Sequence, residues 1–206
     1  MLRIYAFPTP NNTKVMITAE EAGLRYQLSR VDLAKGEQRS PEHLRRHPLG
    51  KTPAIEHDEL TLFESNAICR YLAGLGGSEL YPEALAARAQ VDQWAEFLSH
   101  HAGRWVLQFY WEEVIKRHFF RQPPDEAVLA EAQTMLEQQL PVLERQLEGQ
   151  TFLANNRFSI ADIIGYSQFE ICPQTRIDLA GYPRIRQWVD AIKARPAVQR
   201  AQAALG

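Results

Sequence analysis

Apolar and polar residues alternate over residues 2–6 and again over residues 26–33, which predicts two short β-strands. Between them, residues 7–12 contain two prolines and two asparagines and are predicted to form a loop. The spacing of apolar residues then becomes helical from Thr13, and Gly23 is a residue suited to end that helix. Strand, helix and strand in this order form a βαβ unit.

Two further apolar runs, residues 53–55 and 60–63, follow a mostly polar connection and predict a β-hairpin. A helix from Ser65 to about Leu75 comes next, with its apolar residues on one face. We therefore expect a first domain over residues 1–78, with the order βαβ and then ββα.

The remainder of the chain predicts helices only. After a linker over residues 79–85, apolar residues recur every three or four positions over residues 84–118 and predict one long helix. A second such helix extends over residues 129–147, where Pro141 is expected to introduce a kink. The second domain, residues 86–206, is therefore expected to be all-helical.

A helix-start signal lies within this second domain. Ser159 and Asp162 have the spacing of a capping box, and Phe158 and Ile163 are placed to form the hydrophobic staple that accompanies it. The helix from Ile160 to about Cys172 is apolar on most sides, so we expect it to be buried. We assign the serine and the aspartate a structural role.

Composition and charge narrow the class of protein. The 206 residues are 45% hydrophobic and 23% charged, which is typical of a globular chain, and the net charge is −2. Neither half of the chain has the basic surplus that binding to a phosphate backbone needs, so nucleic acid is not an expected partner. No apolar run is long enough to span a membrane.

Only two cysteines are present, Cys69 and Cys172, and they are far apart. The lack of a disulfide framework and of a signal peptide predicts a cytoplasmic protein. Without a CxxC motif, dithiol chemistry by the protein's own cysteines is not expected.

Three short motifs on this order of elements resemble the glutathione transferase family: residues 48–54 (PLGKTPA), 64–68 (ESNAI) and 158–162 (FSIAD). The resemblance covers nearly the whole chain. It implies an α/β thioredoxin-like N-terminal domain followed by an all-helical C-terminal domain. It also implies a homodimeric enzyme that takes glutathione as its co-substrate.

The first motif carries part of the implied glutathione site. In the family, the proline of Thr52-Pro53 is cis, and the backbone of the residue before it binds the cysteinyl unit of glutathione. Lys51 and Gln38 are the candidates for contact with the glycyl carboxylate. Taken alone, the Thr-Pro pair also fits a trans proline that begins an edge strand.

The second motif carries the other part. N–H groups at the start of the helix after Glu64-Ser65 are a natural site for an anion, and Ser65 is suited to cap that helix. The resemblance implies that they hold the γ-glutamyl carboxylate, while the Glu64 carboxylate accepts from the α-amino group. An ordinary helix cap beside a solvated acid is the alternative.

The loop of residues 9–14 (TPNNTK) resembles the bacterial nu-class branch and its disulfide-bond reductase relatives. Donors at a helix N-terminus stabilise a thiolate, and no serine or cysteine occurs in the first 28 residues. Tyr5 lies one residue too early for the tyrosine classes. The Thr9 hydroxyl and the Asn11 side-chain amide are therefore the candidate catalytic groups, supplemented by the backbone N–H groups of Asn12 and Thr13. The alternative is that Asn11 only caps the helix.

The second substrate is expected to bind between this loop and the long helix, where four polar and aromatic residues are candidates for its pocket: Arg104, Gln108, Tyr110 and Trp111. Trp105 is assigned to the core. His100 and His101 lack carboxylates at a ligand spacing, so no metal site is expected.

These residues predict an enzyme that binds glutathione, stabilises its thiolate and directs it at an electrophilic carbon or at a disulfide. The nu-like loop favours disulfide exchange. Two alternatives remain open. One is a binding module of the same fold without catalysis, and the other is a theta- or beta-like transferase that uses backbone groups and water instead of a side-chain donor.

Overall fold

The computed structural model describes residues 1–77 and 79–206, so the predicted boundary residue Ser78 lies outside the described residues. Two compact units are present: Met1–Tyr81 together with Ala194–Gly206, and Pro82–Lys193. The strands are β1 (Leu2–Ala6), β2 (Tyr26–Arg30), β3 (Ala54–His57) and β4 (Leu60–Phe63). The α-helices are α1 (Pro10–Glu21), α2 (Pro41–Arg46), α3 (Ser65–Leu75), α4 (Leu85–His100), α5 (Ala102–Tyr110), α6 (Glu126–Gln146), α7 (Ile160–Phe169), α8 (Pro183–Lys193) and α9 (Pro196–Leu205).

The first unit contains a four-stranded sheet in the order β2-β1-β3-β4. β1 and β2 are parallel, while β3 is antiparallel to both of its neighbours. The side chains of Ile4, Ile55 and Ile68 are fully buried in this unit. The predicted βαβ and ββα order and the thioredoxin-like fold are therefore confirmed.

Two helices of this unit differ from the prediction. α1 begins at Pro10 rather than at Thr13, because proline suits the first turn of a helix, where its missing N–H is not needed. The short α2 lies in the polar connection and was not predicted. Its start is capped by Ser40, whose hydroxyl oxygen accepts from the His43 N–H at 3.2 Å.

The C-terminal helix α9 packs in the first unit, whereas the sequence placed residues 194–206 with the second domain. The Arg195 guanidinium donates to both carboxylate oxygens of Glu21, at 2.5 and 2.8 Å. Arg200 donates to Glu20 at 2.7 Å. Four apolar side chains of the helix are buried: Ala197, Val198, Ala201 and Leu205. Ion pairs and apolar burial on α1 thus assign this helix to the first unit.

The second unit is built from helices, as predicted, but the long helix expected over residues 84–118 is divided. His101 has φ −120° and ψ −110°, which separates α4 from α5, and a π-helical segment continues from Trp111 to Phe120. No proline marks that break in the sequence. α6 continues through Pro141, so this proline does not end the helix. Within residues 1–77 and 79–206, no helix is long and apolar enough to cross a membrane.

The predicted capping box at the start of α7 is confirmed. Asp162 is fully buried, and its Oδ2 accepts from the N–H and the hydroxyl of Ser159, at 2.9 and 3.1 Å. Its Oδ1 accepts from the Leu153 N–H and from the Trp188 indole N–H, both at 2.9 Å. Burial raises the pKa of this carboxyl to about 6 despite these four donors.

The contribution of Asp162 to stability is expected to fall as the pH rises from about 4 to about 6. In this window the folded state keeps a proton that the unfolded state has already released, because the folded pKa is the higher one. The loss amounts to about 3 kcal/mol of unfolding free energy. Urea denaturation of the wild type and of the Asp162→Asn variant across this window measures the loss as the difference between the two proteins. The comparison is needed because carboxyls with a lowered pKa, such as Glu56, change the stability in the opposite direction. A difference that stays constant with pH would contradict the expectation.

Candidate functional site

Three segments that carry predicted site residues lie at one edge of the sheet. Tyr5 near the end of β1 pairs with Ala54 at the start of β3, and Ala54 pairs with Phe63 at the end of β4. The loop after β1, the loop before β3 and the turn after β4 therefore leave the sheet at the same edge. The first unit brings together Thr9, Thr52-Pro53 and Glu64-Ser65 in this way.

The first turn of α1 has fewer free N–H groups than its sequence suggests. Thr9 is the N-cap residue, and the backbone N–H groups of Asn12 and Thr13 both donate to its carbonyl oxygen, at 2.8 and 2.9 Å. Pro10 has no N–H. Asn12 and Thr13 therefore do not supply the backbone donors that were predicted, and Asn11 provides the N–H of this turn that no described residue accepts.

Asn11 does not cap the helix, because Thr9 occupies that position, and its side chain is exposed. The side chain of Tyr5 is engaged by residues of β3 and α2. Its hydroxyl donates to Glu56 at 2.6 Å, and the Arg46 guanidinium lies 4.0 Å from the centre of its ring.

The segment of residues 9–14 and the Thr52-Pro53 loop are joined by one buried amide. Asn12 Nδ2 donates to the hydroxyl oxygen of Thr9 at 2.6 Å and to that of Thr52 at 3.1 Å. The Thr52–Pro53 peptide bond is cis, as the resemblance implied. The two threonine hydroxyls thus share a single donor group, and the two loops are fixed to one another.

At the start of α3, Glu64 is the N-cap residue and Ser65 is the first residue of the helix, so Ser65 does not cap it as predicted. Glu64 has φ 70° and ψ 106°, a backbone conformation that side-chain-bearing residues rarely adopt. Next to this pair, the buried Lys14 ammonium donates to the Asn66 side-chain oxygen at 2.8 Å. This bond connects the first turns of α1 and α3.

The other two residues predicted to bind glutathione, Gln38 and Lys51, lie in the connection between β2 and β3. Gln38 Nε2 is directed at the Leu33 carbonyl at 3.4 Å, while its Oε1 is buried without a partner. Gly50, with φ 60°, passes so close to the Gln38 carbonyl that an added Cβ would come within 2.9 Å of that oxygen. Lys51 is exposed, and its carbonyl is 2.7 Å from the His43 ring nitrogen Nε2.

The predicted second-substrate residues lie in the second unit. Arg104 stacks on the core residue Trp105, with 4.7 Å from the guanidinium carbon to the ring centre. Tyr110 is half-buried, and burial raises the pKa of its hydroxyl. Trp111 is 44% exposed and packs against Phe120, with 5.7 Å between the ring centres.

Gln108 is partly engaged by a buried acid that the sequence analysis missed. Its amide donates to Glu112 at 3.3 Å, and Glu112 also accepts from Lys116 and from the Asp125 N–H, at 2.5 and 2.8 Å. The Glu112 carboxylate thus accepts hydrogen bonds from three groups. One of them is the N–H of Asp125, the residue that precedes α6, so Glu112 holds the start of that helix in place.

The second unit also contains a cavity of about 350 Å³ beside α7 and α8, and none of the four predicted pocket residues lines it. Its lining includes Phe169, Cys172 and Val189. Among the described residues, no group of three or more His, Cys, Asp or Glu side chains is arranged to hold a metal ion.

Neither cysteine is placed to act as a nucleophile. Both are buried and free. Burial raises the pKa of the Cys69 thiol, and it raises the pKa of Cys172 to about 12, so both stay protonated at neutral pH. The two cysteines therefore do not supply a thiolate at neutral pH.

Sequence reasoning missed two buried residues that organise the site, Asn12 and Lys14. Both lie near the start of α1, but their partners, Thr52 and Asn66, are 40 and 52 residues away along the chain. The available signal was a polar run in the first turn of a helix that the sheet order places against the core.

Two family models match the chain. Residues 1–74 match the glutathione S-transferase, N-terminal domain, and residues 104–196 match the glutathione S-transferase, C-terminal domain. Together these ranges cover most of the chain and fall on the two halves that the fold distinguishes.

Individual relatives are consistent with the match to these two family models. The disulfide-bond oxidoreductase YfcG of Escherichia coli (strain K12) is 37% identical over 210 residues, which cover 98% of this chain and 94% of that protein. The probable glutathione S-transferase GSTF2 of Oryza sativa subsp. japonica is 33% identical over 194 residues, covering 92% and 90%. Among solved structures, a glutathione S-transferase-I bound with lactoylglutathione superposes with a TM-score of 0.89 at 31% identity, covering 98% of each chain.

Proposed function

The chain belongs to the glutathione S-transferase family, and from that premise we propose that Thr9 and Asn11 stabilise the thiolate of glutathione bound to the first unit. The observation that carries the proposal is the single sheet edge that collects the α1 N-terminus, the cis Thr52–Pro53 bond and the α3 N-terminus. A tripeptide with two carboxylates and one thiol matches this combination of helix N-termini and backbone donors.

Glutathione is proposed to lie along this edge with its γ-glutamyl end at α3. The backbone N–H of Ser65, at the start of α3, binds its carboxylate, and the Glu64 carboxylate accepts from its α-amino group. The backbone of Thr52, before Pro53, pairs with the cysteinyl unit as an added strand would. Lys51 and Gln38 are proposed for the glycyl carboxylate. Gln38 must exchange its contact with the Leu33 carbonyl to reach it.

The sulfur is proposed to lie at the start of α1. The Thr9 hydroxyl and the exposed Asn11, with its free backbone N–H, are donors to the thiolate, and the partial positive charge at the helix N-terminus adds to their effect. These groups favour the charged form of the thiol over the neutral one. Its pKa therefore falls below the value of about 8.5 for a free cysteine-like thiol.

Replacing Thr9 with valine is expected to lower kcat/KM at neutral pH about 10- to 100-fold. Valine keeps the shape of threonine but removes the hydroxyl, and a hydrogen bond to a charged group contributes about 1.5–3 kcal/mol. Steady-state rates on an aryl halide and on a small disulfide measure the loss. The matched control is Thr9→Ser, which retains the hydroxyl and should stay within about threefold of the wild type. Equal rates for the wild type and Thr9→Val would exclude Thr9 as a donor.

Two reaction types follow from one bound thiolate. With an electrophilic carbon, a carbon–sulfur bond forms and the leaving group takes the electron pair. With a disulfide, the sulfur of glutathione attacks one sulfur and expels the other as a thiolate, and a second glutathione then releases oxidised glutathione. The similarity to YfcG, which is named a disulfide-bond oxidoreductase, favours the disulfide for this chain.

A binding module of this fold without catalysis is the second candidate. Such a module does not need a buried amide joining the Thr9 and Thr52 hydroxyls, nor an N-cap glutamate held at positive φ. Both features support an enzyme. Glutathione binding without turnover of either substrate type would favour the module.

We propose a homodimer, because Leu49 and Phe63 of the first unit are 68% and 40% exposed and offer apolar surface to a second copy. We propose the cytoplasm as the location, because Cys69 and Cys172 are free thiols. The second substrate is proposed to contact the side chains named for it in the second unit: Arg104, Gln108, Tyr110 and Trp111.

A further inference from the structure

Asn12 combines complete burial with an unusual division of its hydrogen bonds. Its two amide hydrogens are directed to two hydroxyl oxygens, those of Thr9 and Thr52, at 2.6 and 3.1 Å. Its own Oδ1 is buried and accepts no hydrogen bond. A fully buried side chain that donates to two other groups, while its own oxygen accepts no hydrogen bond, calls for a functional explanation.

The orientation of this amide follows from the cost of the alternative. Turning it over would place Oδ1 between the two hydroxyls and would leave an NH₂ group, with two donors, in the position that now holds one acceptor. Buried N–H groups without a partner are rarer in proteins than under-satisfied carbonyl oxygens. The arrangement in which Asn12 donates is therefore the favoured one.

This arrangement determines the direction in which the Thr9 hydroxyl can donate its own hydrogen bond. A hydroxyl has one hydrogen and two acceptor lone pairs, and Asn12 occupies one of these lone pairs. The proton cannot point at Asn12, since that direction already holds an N–H. It remains available to an acceptor on another side of Thr9.

We propose that Asn12 is a positioning residue that makes Thr9 a donor to the sulfur of glutathione by donating to the Thr9 oxygen itself. The inference rests on the proposed role of Thr9. Thr52 acts as the second anchor, because its hydroxyl oxygen receives the other amide hydrogen and holds the Asn12 plane in place. Asn12 does not touch the sulfur in this scheme. It acts through the oxygen of Thr9.

Asn12→Leu and Asn12→Asp both keep the branching of the asparagine side chain and change its polarity in different ways. Asn12→Leu removes both N–H donors and leaves the Thr9 hydroxyl free to rotate, so the bound thiolate should lose stabilisation by a factor of about three to ten. Asn12→Asp reverses the polarity, because a carboxylate accepts the hydroxyl protons and adds a negative charge near the sulfur. It should cost a factor of about ten or more. The expected order of the bound thiol pKa is wild type, then Asn12→Leu, then Asn12→Asp as the highest.

The test is a pH titration of thiolate absorbance with saturating glutathione on the full chain, for the wild type, Asn12→Leu, Thr9→Val and the double variant. We expect Asn12→Leu to raise the bound thiol pKa in the wild-type background and to leave it unchanged once Thr9 is valine. An equal rise in both backgrounds would show that Asn12 does not act through Thr9 and would overturn the inference. So would an unchanged pKa in Asn12→Leu.

The same titration distinguishes the two proposals. A wild-type complex whose thiol pKa is not lowered would overturn the proposed function itself. A lowered wild-type pKa that does not respond to Asn12 would overturn only the inference about Asn12. If Asn12→Leu does not fold, Thr52→Val carries the test, since it removes the second anchor of the Asn12 amide and should raise the pKa only while Thr9 is present.

Discussion

Replacing Asp162 with alanine is expected to lower the free energy of unfolding by about 4 kcal/mol. The change removes the acceptor of four hydrogen bonds and leaves the N–H groups of Leu153, Ser159 and Trp188 without their partner in the interior. Each buried donor that loses its acceptor costs about 1–3 kcal/mol, partly relieved by rearrangement or by entry of water. Equilibrium denaturation in urea measures the loss.

Two controls divide that loss. Trp188→Phe removes one donor while keeping the aromatic packing, so it should cost about 1–2 kcal/mol. Ser159→Ala removes the hydroxyl of the capping box and should cost about 1 kcal/mol. If Asp162→Ala were no worse than Ser159→Ala, the aspartate would be an ordinary helix cap rather than the centre of a buried network.

Replacing Glu64 with glycine is expected to weaken glutathione binding about 30- to 100-fold without lowering stability. The loss of affinity follows from removing a charged acceptor of the α-amino group, which contributes about 2–3 kcal/mol. The unchanged or higher stability follows from the φ of 70°, because glycine adopts such a backbone conformation without the steric cost that a side chain brings.

Glu64→Ala is the matched control, since it removes the carboxylate and retains the steric cost of a Cβ at positive φ. Isothermal titration calorimetry with glutathione should give the same loss of affinity for both variants. The alanine variant should have the thermal stability of the wild type, and the glycine variant should match or exceed it. Affinity within about threefold of the wild type in both variants would remove Glu64 from the glutathione site.

The sequence predicted the features that local chemistry determines. Alternation located the strand around Ile4, apolar runs located the hairpin around Ile55, and prolines and asparagines marked the loop of residues 7–12. The Ser159–Asp162 capping box was visible because both of its partners lie within one helical turn. These signals need only a few neighbouring residues, so the fold and most of the segments of the candidate site could be predicted.

Other features depend on partners that are distant in the sequence. The assignment of α9 to the first unit depends on ion pairs between residues more than 170 positions apart. The break at His101 carries no proline, and Asn12 acquires its meaning only when Thr52 is placed beside it by the pairing of β1 with β3. The sequence predicts Ser65 as the helix cap, whereas Ser65 is the first helical residue and Glu64 is the N-cap. The positive φ of Glu64 has no signal in the sequence, because the residue at this position is not a glycine.

The start of α1 is proposed to stabilise a thiolate that arrives with glutathione. The most direct measurement is the pH dependence of thiolate absorbance for glutathione bound to the wild type, compared with Thr9→Val and with glutathione alone. We predict a pKa for the bound thiol clearly below the value of about 8.5 for a free thiol, and a partial return towards that value in Thr9→Val. Binding with the pKa of free glutathione would contradict the account.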